Sequence, residues 1–346
     1  NGVNRLEGFS LKGDGFSVQG SLEFSKAGLN KAKFSNVTLF GDDSFSASIS
    51  RSANSYKVDV AGKRYDARSV IKTVLHGDRF ASEKSFVDVS LTANFGTLVG
   101  FSRQTMSNVV LNYSTSGGLL DRLVMRGATA RGGTTAIDAK RAGDTTQFDF
   151  TSDDAGSLLA LADFYSKMRG GKLQSTLVRK GGGPFAGRVK LDNFSIVGEE
   201  KLAKLVAAPA SGQNKDLERV SGELRSLNTS EVDFDDARAT IVKGPGYFQI
   251  DKGRMRNSQI GMTFEGMLYD QNERMNLRGT FMPAFAVSRI VGLIPIVGDI
   301  LSNGKDSGLI GITYRLKGPF KNPGIAVNPM SVMAPGVFRK AFEFTD

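Results

Sequence analysis

Few residues of this 346-residue chain are of a type and spacing that could do chemistry, and each has a plainer role close at hand. The single histidine, His76, ends a helical pattern just before Gly77 and Asp78. An imidazole can act as a base near neutral pH, but no serine or cysteine motif stands beside it to be activated. It reads as a surface residue at a helix end. Asp153 and Asp154 are neighbouring carboxylates able to share acid and base roles or to hold a cation; they also stand where an N-cap and a first-turn acid belong. The acidic group Glu231, Asp233, Asp235 and Asp236, whose odd positions share a strand face, comes closer to a cation site. It lacks a glycine turn and further oxygen ligands and reads as a solvated face. Gly170-Gly171 and Gly181 to Gly183 lack the spacing and the lysine or acidic partners of a phosphate loop; they are turns. With no cysteine in the chain, disulfides and thiolate metal sites are excluded. The reading is of a protein that is not an enzyme and uses no metal or cofactor.

Charge narrows the partners only slightly. Forty-five Lys and Arg against 35 Asp and Glu leave a net charge of +10, compatible with nucleic acid, an anionic membrane or solubility alone. The basic residues mostly stand singly between apolar ones, as in Arg188-Val-Lys-Leu191 and Tyr314-Arg-Leu-Lys317, the pattern of a solvated strand face. Aromatic and basic residues interleave at Phe338 to Phe342, but no nucleic-acid module is recognisable, so nucleic acid is not an expected partner.

The apolar run near the end differs from the rest. Phe285, Val287, Ile290, Val291, Ile294, Ile296, Val297, Ile300 and Leu301 leave scarcely any polar face besides Ser288, Arg289 and Asp299. Pro295 should kink a helix there. No segment reaches the ~20 uninterrupted apolar residues that a spanning helix needs. A helix over 284–301 is expected, either buried in a core or resting on a membrane surface. In the second case Ile290, Ile294, Ile296, Val297, Ile300 and Leu301 make the contact.

The elements around these residues are mainly strands. Forty-one glycines, 9 prolines, no tryptophan and 24 phenylalanines suit many short strands joined by glycine-bearing turns. Phe16, Val18, Leu22 and Phe24 alternate with polar neighbours, as do Phe45 and Ile49, then Val58 and Val60. The pattern predicts a β-meander over 1–150 with one short helix near 66–76, where Val70, Ile71, Val74 and Leu75 recur at helical spacing behind an aspartate. The region 151–346 is expected to hold a helix over 153–169, a helix pair near 199–224, a final sheet over 233–281, the apolar helix, a strand over 308–318 and a terminal helix near 331–342. Roughly two dozen strands with one apolar face each must bury that face. The predicted helices are too few to cover it. A dry sandwich and a trough filled by an apolar ligand both meet the demand.

At several places the chain resembles the AsmA-like family of Gram-negative envelope proteins, the TamB/YhdP group, in its C-terminal region. The resemblance is carried by Asp153–Leu159, Met168–Leu173, Val189–Ser195, Gly279–Phe285, Leu293–Gly298 and Asn328–Gly336, together spanning about 153 to 342, with Val60–Arg68 as one further phrase upstream. It implies an elongated antiparallel sheet curled into a trough, a β-taco-like groove, in the periplasm. It also implies an N-terminal inner-membrane anchor ahead of Asn1, phospholipid movement between inner and outer membranes, and no catalytic residues.

On that reading the protein is a lipid-transfer module whose partners are phospholipid, the two membrane surfaces and other envelope proteins. The groove would be lined by Phe16, Val18, Leu22, Phe24, Phe45, Ile49, Val58, Val60, Val87, Val89, Leu91, Val189, Leu191, Ile260, Met262, Phe264, Leu277, Ile312 and Tyr314. The alternative is an outer-membrane assembly scaffold or chaperone for β-barrel proteins that carries no lipid.

Overall fold

The computed structural model describes residues 4–26, 28–39, 41–76, 87–207, 225–283 and 312–328. The chain divides into two compact units, Asn1–Phe185 and Ala186–Asp346, so the boundary lies some way beyond the expected one near residue 150.

The first unit is a ladder of eleven strands: β1 (Arg5–Gly13), β2 (Phe16–Ser25), β3 (Gly28–Thr38), β4 (Ser44–Ser52), β5 (Ser55–Asp66), β6 (Asp88–Val99), β7 (Thr105–Ser116), β8 (Leu119–Thr129), β9 (Thr134–Ala142), β10 (Thr145–Ser152) and β11 (Met168–Lys180). Each strand pairs with the next. All pairings are antiparallel except β5 with β6, which run parallel. A parallel pair needs a crossover, and the connection between them carries α1 (Arg68–His76). A plain meander was expected here, so the parallel pair is a departure from it.

Helix α1 starts where Asp66 accepts the backbone N–H of Arg68 at 3.1 Å. Of the four apolar residues at helical spacing, Ile71 packs on the core while Val70 and Val74 are exposed. Helix α2 (Ala155–Leu161) lies between β10 and β11. It is far shorter than the expected 153–169. The backbone turns left-handed at Asp163, with φ 57°, and the N–H groups of Phe164 and Tyr165 bond back to the Leu159 carbonyl at 2.8 and 3.3 Å. Met168 then opens β11, and its carbonyl lies against Gly156, where any side chain would collide. Tyr165 and Met168 therefore do not extend a helical face. Both helices pack over one end of the apolar sheet face: Ala93, Phe95, Met106, Val109 and Leu161 form a buried cluster, with Ile71, Leu158, Phe45 and Tyr65 against it.

The second unit contains β12 (Phe185–Val197), α3 (Glu200–Val206), β13 (Glu231–Gly244), β14 (Tyr247–Arg256), β15 (Ile260–Tyr269), β16 (Arg274–Pro283), β17 (Ile312–Pro319) and β18 (Gly324–Asn328). The strands β13 to β18 pair in sequence, all antiparallel. The expected strand over 308–318 corresponds to β17, with 308–311 outside the described residues. The second helix of the pair near 199–224, the apolar helix over 284–301 and the terminal helix near 331–342 also lie outside them. Among the described residues the protein has eighteen strands and three helices, fewer and longer strands than two dozen short ones. Among the described residues neither ladder closes on itself, and no described helix is long and apolar enough to cross a membrane.

Candidate functional site

Register turns the apolar alternation of separate strands into rows across the first unit. One row runs Leu6, Leu22, Ala32, Ile49, Val58, Leu91, Tyr113, Leu123, Ala139, Phe148 and Leu177, each paired with the next from β1 to β11. A second runs beside it through Phe9, Gly20, Phe34, Ala47, Val60, Ala93, Leu111, Met125, Ile137, Phe150 and Ser175 on the same strands. Eleven strands at ~4.8 Å spacing make each row roughly 50 Å long. Because side chains alternate between faces, a slip of one residue in any pairing would break both rows. The opposite face carries Lys33, Ser48, Asp59, Thr92 and Asn112 in the same way.

The rows are apolar but not dry. In the first, only Ala32, Ala139 and Phe148 are buried; Leu22, Ile49, Val58, Leu91, Tyr113, Leu123 and Leu177 are half-buried and Leu6 is exposed. Towards β1 the access increases, with Leu11 57%, Phe16 41% and Phe24 40% exposed. At the end covered by α1 and α2 the face closes over a ring cluster, Tyr65 stacked on Phe95 at 5.0 Å and Phe45 edge-on to both. Burial pushes the phenol pKa of Tyr113, in the middle of the first row, above its ordinary value.

The apolar face of the second unit is different. Phe281 is 0%, Ile312 1% and Ile260 3% exposed, and Met262, Leu277 and Tyr314 are buried with them. Tyr314 donates its hydroxyl to the Thr263 carbonyl at 2.9 Å. This is the burial of a filled core.

The residues expected to line a groove thus fall into two settings. Val18, Leu22, Phe45, Ile49, Val58, Val60, Val89 and Leu91 are half-buried on the open face of the first unit, with Phe16 and Phe24 exposed at its margin; Val87 is half-buried just ahead of β6. In the second unit Ile260, Met262, Leu277, Ile312 and Tyr314 are core, while Val189, Leu191 and Phe264 are half-buried. The contact residues Ile290, Ile294, Ile296, Val297, Ile300 and Leu301 lie outside the described residues. Sequence reasoning omitted the continuation of the rows through β7 to β11, from Tyr113 and Leu111 to Phe148 and Leu177. The same alternation marks those strands, but only the register shows that they share a face with Val58 and Leu91.

Several of the groups weighed for chemistry have structural duties. The Asp154 carboxylate caps α2, accepting the Ser157 N–H at 3.2 Å and the Thr129 hydroxyl at 3.0 Å. Asp236 accepts from Arg256 at 2.7 Å, and Asp233 accepts from the Ser195 hydroxyl. Among the described residues no group of His, Cys, Asp and Glu is placed to hold a metal ion. Compared with protein-family models, with curated proteins and with solved structures, the chain matches none.

Proposed function

We propose that the protein is a non-enzymatic lipid-binding and lipid-transfer module, in which the sheet of the first unit curls into a trough and acyl chains lie along its apolar face. The observation that carries this reading is the pair of registered apolar rows, most of whose members are half-buried, running across eleven strands. A sandwich core would be buried as the second unit's apolar face is. Each CH₂ taken out of water contributes ~0.8 kcal/mol, and a row of near-equivalent positions lets a chain slide without exposing its tail. Headgroups remain at the polar margin, and no bond is made or broken. The resemblance to AsmA-like proteins supplies the setting: the periplasm of a Gram-negative bacterium, phospholipid passing between the inner and outer membranes, and the 284–301 segment meeting a membrane surface.

The test is to purify the chain and extract it for lipid mass spectrometry, with a photoreactive residue at Val58 and, separately, at Phe264. Co-purified phospholipid and lipid adducts at Val58 are expected. Absence of phospholipid together with no lipid adduct at either position would overturn the reading, and adducts to proteins alone would point instead to an assembly scaffold. A paired Val58→Asp and Leu91→Asp change, adjacent in one row, should remove the bound lipid while circular dichroism keeps its strand signal.

A further inference from the structure

The polar face of the second unit carries a concave surface. Strands β12 to β17 surround a space of about 860 Å³, and Arg188, Lys190, Arg238, Lys252, Arg254 and Arg278 line it against a single lining acid, Glu265. Several of these cations are already satisfied. Lys190 pairs with Asp192 at 2.6 Å and Arg278 with Glu265 at 3.0 Å. Arg238 stands 3.6 Å from Asp236, whose other oxygen is held by Arg256 at 2.7 Å. Arg188, Lys252 and Arg254 have no carboxylate partner among the described residues.

The register places the charges where they repel. Arg238 is directly opposite Arg254, and Lys252 follows on the same strand face opposite Thr240. Like charges on directly opposed positions destabilise a ladder, and an anion between them reverses the sign of that interaction. Guanidinium forks match the oxygens of a phosphate in particular. Thr240 and Thr263 add hydroxyls to the same lining.

We propose that this concavity binds phosphoryl groups, carried either by an anionic lipid headgroup or by a soluble phosphate ester. Nucleic acid fits less well, because unspecific strand binding relies on stacking platforms. The two aromatic residues of the lining, Phe264 and Tyr314, belong to the apolar alternation, and Tyr314 is buried. The site lies on the face opposite the apolar alternation and does not depend on the first unit carrying lipid.

The full chain is tested against phosphatidylcholine vesicles, phosphatidylcholine vesicles containing phosphatidylglycerol, inorganic phosphate and single-stranded DNA. The wild type is compared with the triple variant Arg188→Gln, Lys252→Gln, Arg254→Gln. A control variant, Lys12→Gln, Lys31→Gln, Lys63→Gln, removes the same charge from exposed positions of the first unit. Binding to the anionic vesicles, or thermal stabilisation by phosphate, is expected to weaken with salt and to fall by about tenfold or more in the first variant alone. Vesicle retention that phosphate does not displace identifies a headgroup; stabilisation by phosphate without vesicle retention identifies a soluble ester. Equal losses in both variants, tighter binding of DNA than of either phosphate probe, or no binding of any anion would overturn the proposal. Circular dichroism of both variants separates these outcomes from unfolding.

Discussion

At the scale of single residues, glycine opposite an aromatic ring is a recurring device of this sheet. Gly13 pairs with Phe16, Gly244 with Tyr247, Gly253 with Phe264 and Gly279 with Tyr314, and in each pair the ring occupies the place a Cβ would take. Glycine inside a strand normally weakens it, since it offers no side chain to pack; the ring of the paired residue covers the gap and offsets the loss. Reading the abundant glycines only as turns therefore misses a part they play in strand interiors. The pairs differ in what a methyl group would meet. At Gly253 the nearest atoms it meets all belong to the Phe264 ring, whereas at Gly279 it meets the Thr263 carbonyl as well as the Tyr314 ring, and backbone cannot rotate away. Overpacking costs about 1–3 kcal/mol, so Gly253→Ala should sit at the lower end of that range and Gly279→Ala at or beyond the upper end. Gly182→Ala, at a turn position where an added methyl has nothing within 4 Å, should change stability by less than about 0.5 kcal/mol. Urea unfolding of the three variants checks the order; a Gly279→Ala protein as stable as Gly182→Ala would show that the ring does not lie on the strand.

Among the elements, α2 shows how one carboxylate ties a helix to the ladder. Asp154 is buried, caps the helix at Ser157 and accepts the buried Thr129 hydroxyl at the end of β8. Replacing it with alanine loses a cap worth about 1 kcal/mol and orphans a buried hydroxyl for about 1–3 kcal/mol more. Asp154→Ala should thus cost about 2–4 kcal/mol in chemical unfolding and speed amide exchange in α2. Adding Thr129→Val removes the orphan, so the double variant should be less destabilised than the two single changes summed; simple additivity would mean that the two groups do not interact. The cap was legible in the sequence, as was α1 behind Asp66, because capping chemistry is local. The length of α2 was not, because Ala162 to Met168 keeps a helix-compatible composition while the backbone turns left-handed at Asp163 and β11 opens at Met168, its carbonyl against Gly156. The strands and their apolar faces were legible from alternation alone. The parallel β5–β6 pair and the rows through Tyr113 and Phe148 depend on register, which joins residues up to tens of positions apart and leaves no local mark. Nor did alternation distinguish Val58, half-buried, from Ile260, fully buried, since both present the same apolar type at the same period.

Across the whole molecule, buried tyrosines set an alkaline limit to stability. Burial raises the phenols of Tyr65 and Tyr113 in the first unit and of Tyr269 and Tyr314 in the second, with Asp43 and Asp66 adding to the effect on Tyr65; Tyr269 is pushed up to about 12. Below the ordinary tyrosine value of 10.0 these phenols are protonated in both folded and unfolded chains, and pH has no leverage through them. Above it the unfolded chain releases protons that the folded chain still holds. The unfolded state then binds fewer protons, so stability falls with rising pH until the folded-state values are passed, about 12 for Tyr269. On the acid side the Arg68 guanidinium, hydrogen-bonded to Asp66, holds that carboxyl below its ordinary value. Its contribution is present above the ordinary carboxylate range and is lost as pH falls through the lowered value, but the Arg68 end of the pair is more than half exposed and the effect small. The expected profile is a plateau through neutral pH with a steep alkaline limb. Thermal unfolding followed across pH, with phenolate absorbance as a second signal, measures it. Tyr314→Phe removes the bond to the Thr263 carbonyl and should cost about 1 kcal/mol on the plateau while making the alkaline limb shallower, and Tyr269→Phe should flatten it further. A wild-type midpoint that stays level to pH 12 would mean that water reaches these rings in both units, and the closed apolar face of the second unit would then have to be abandoned.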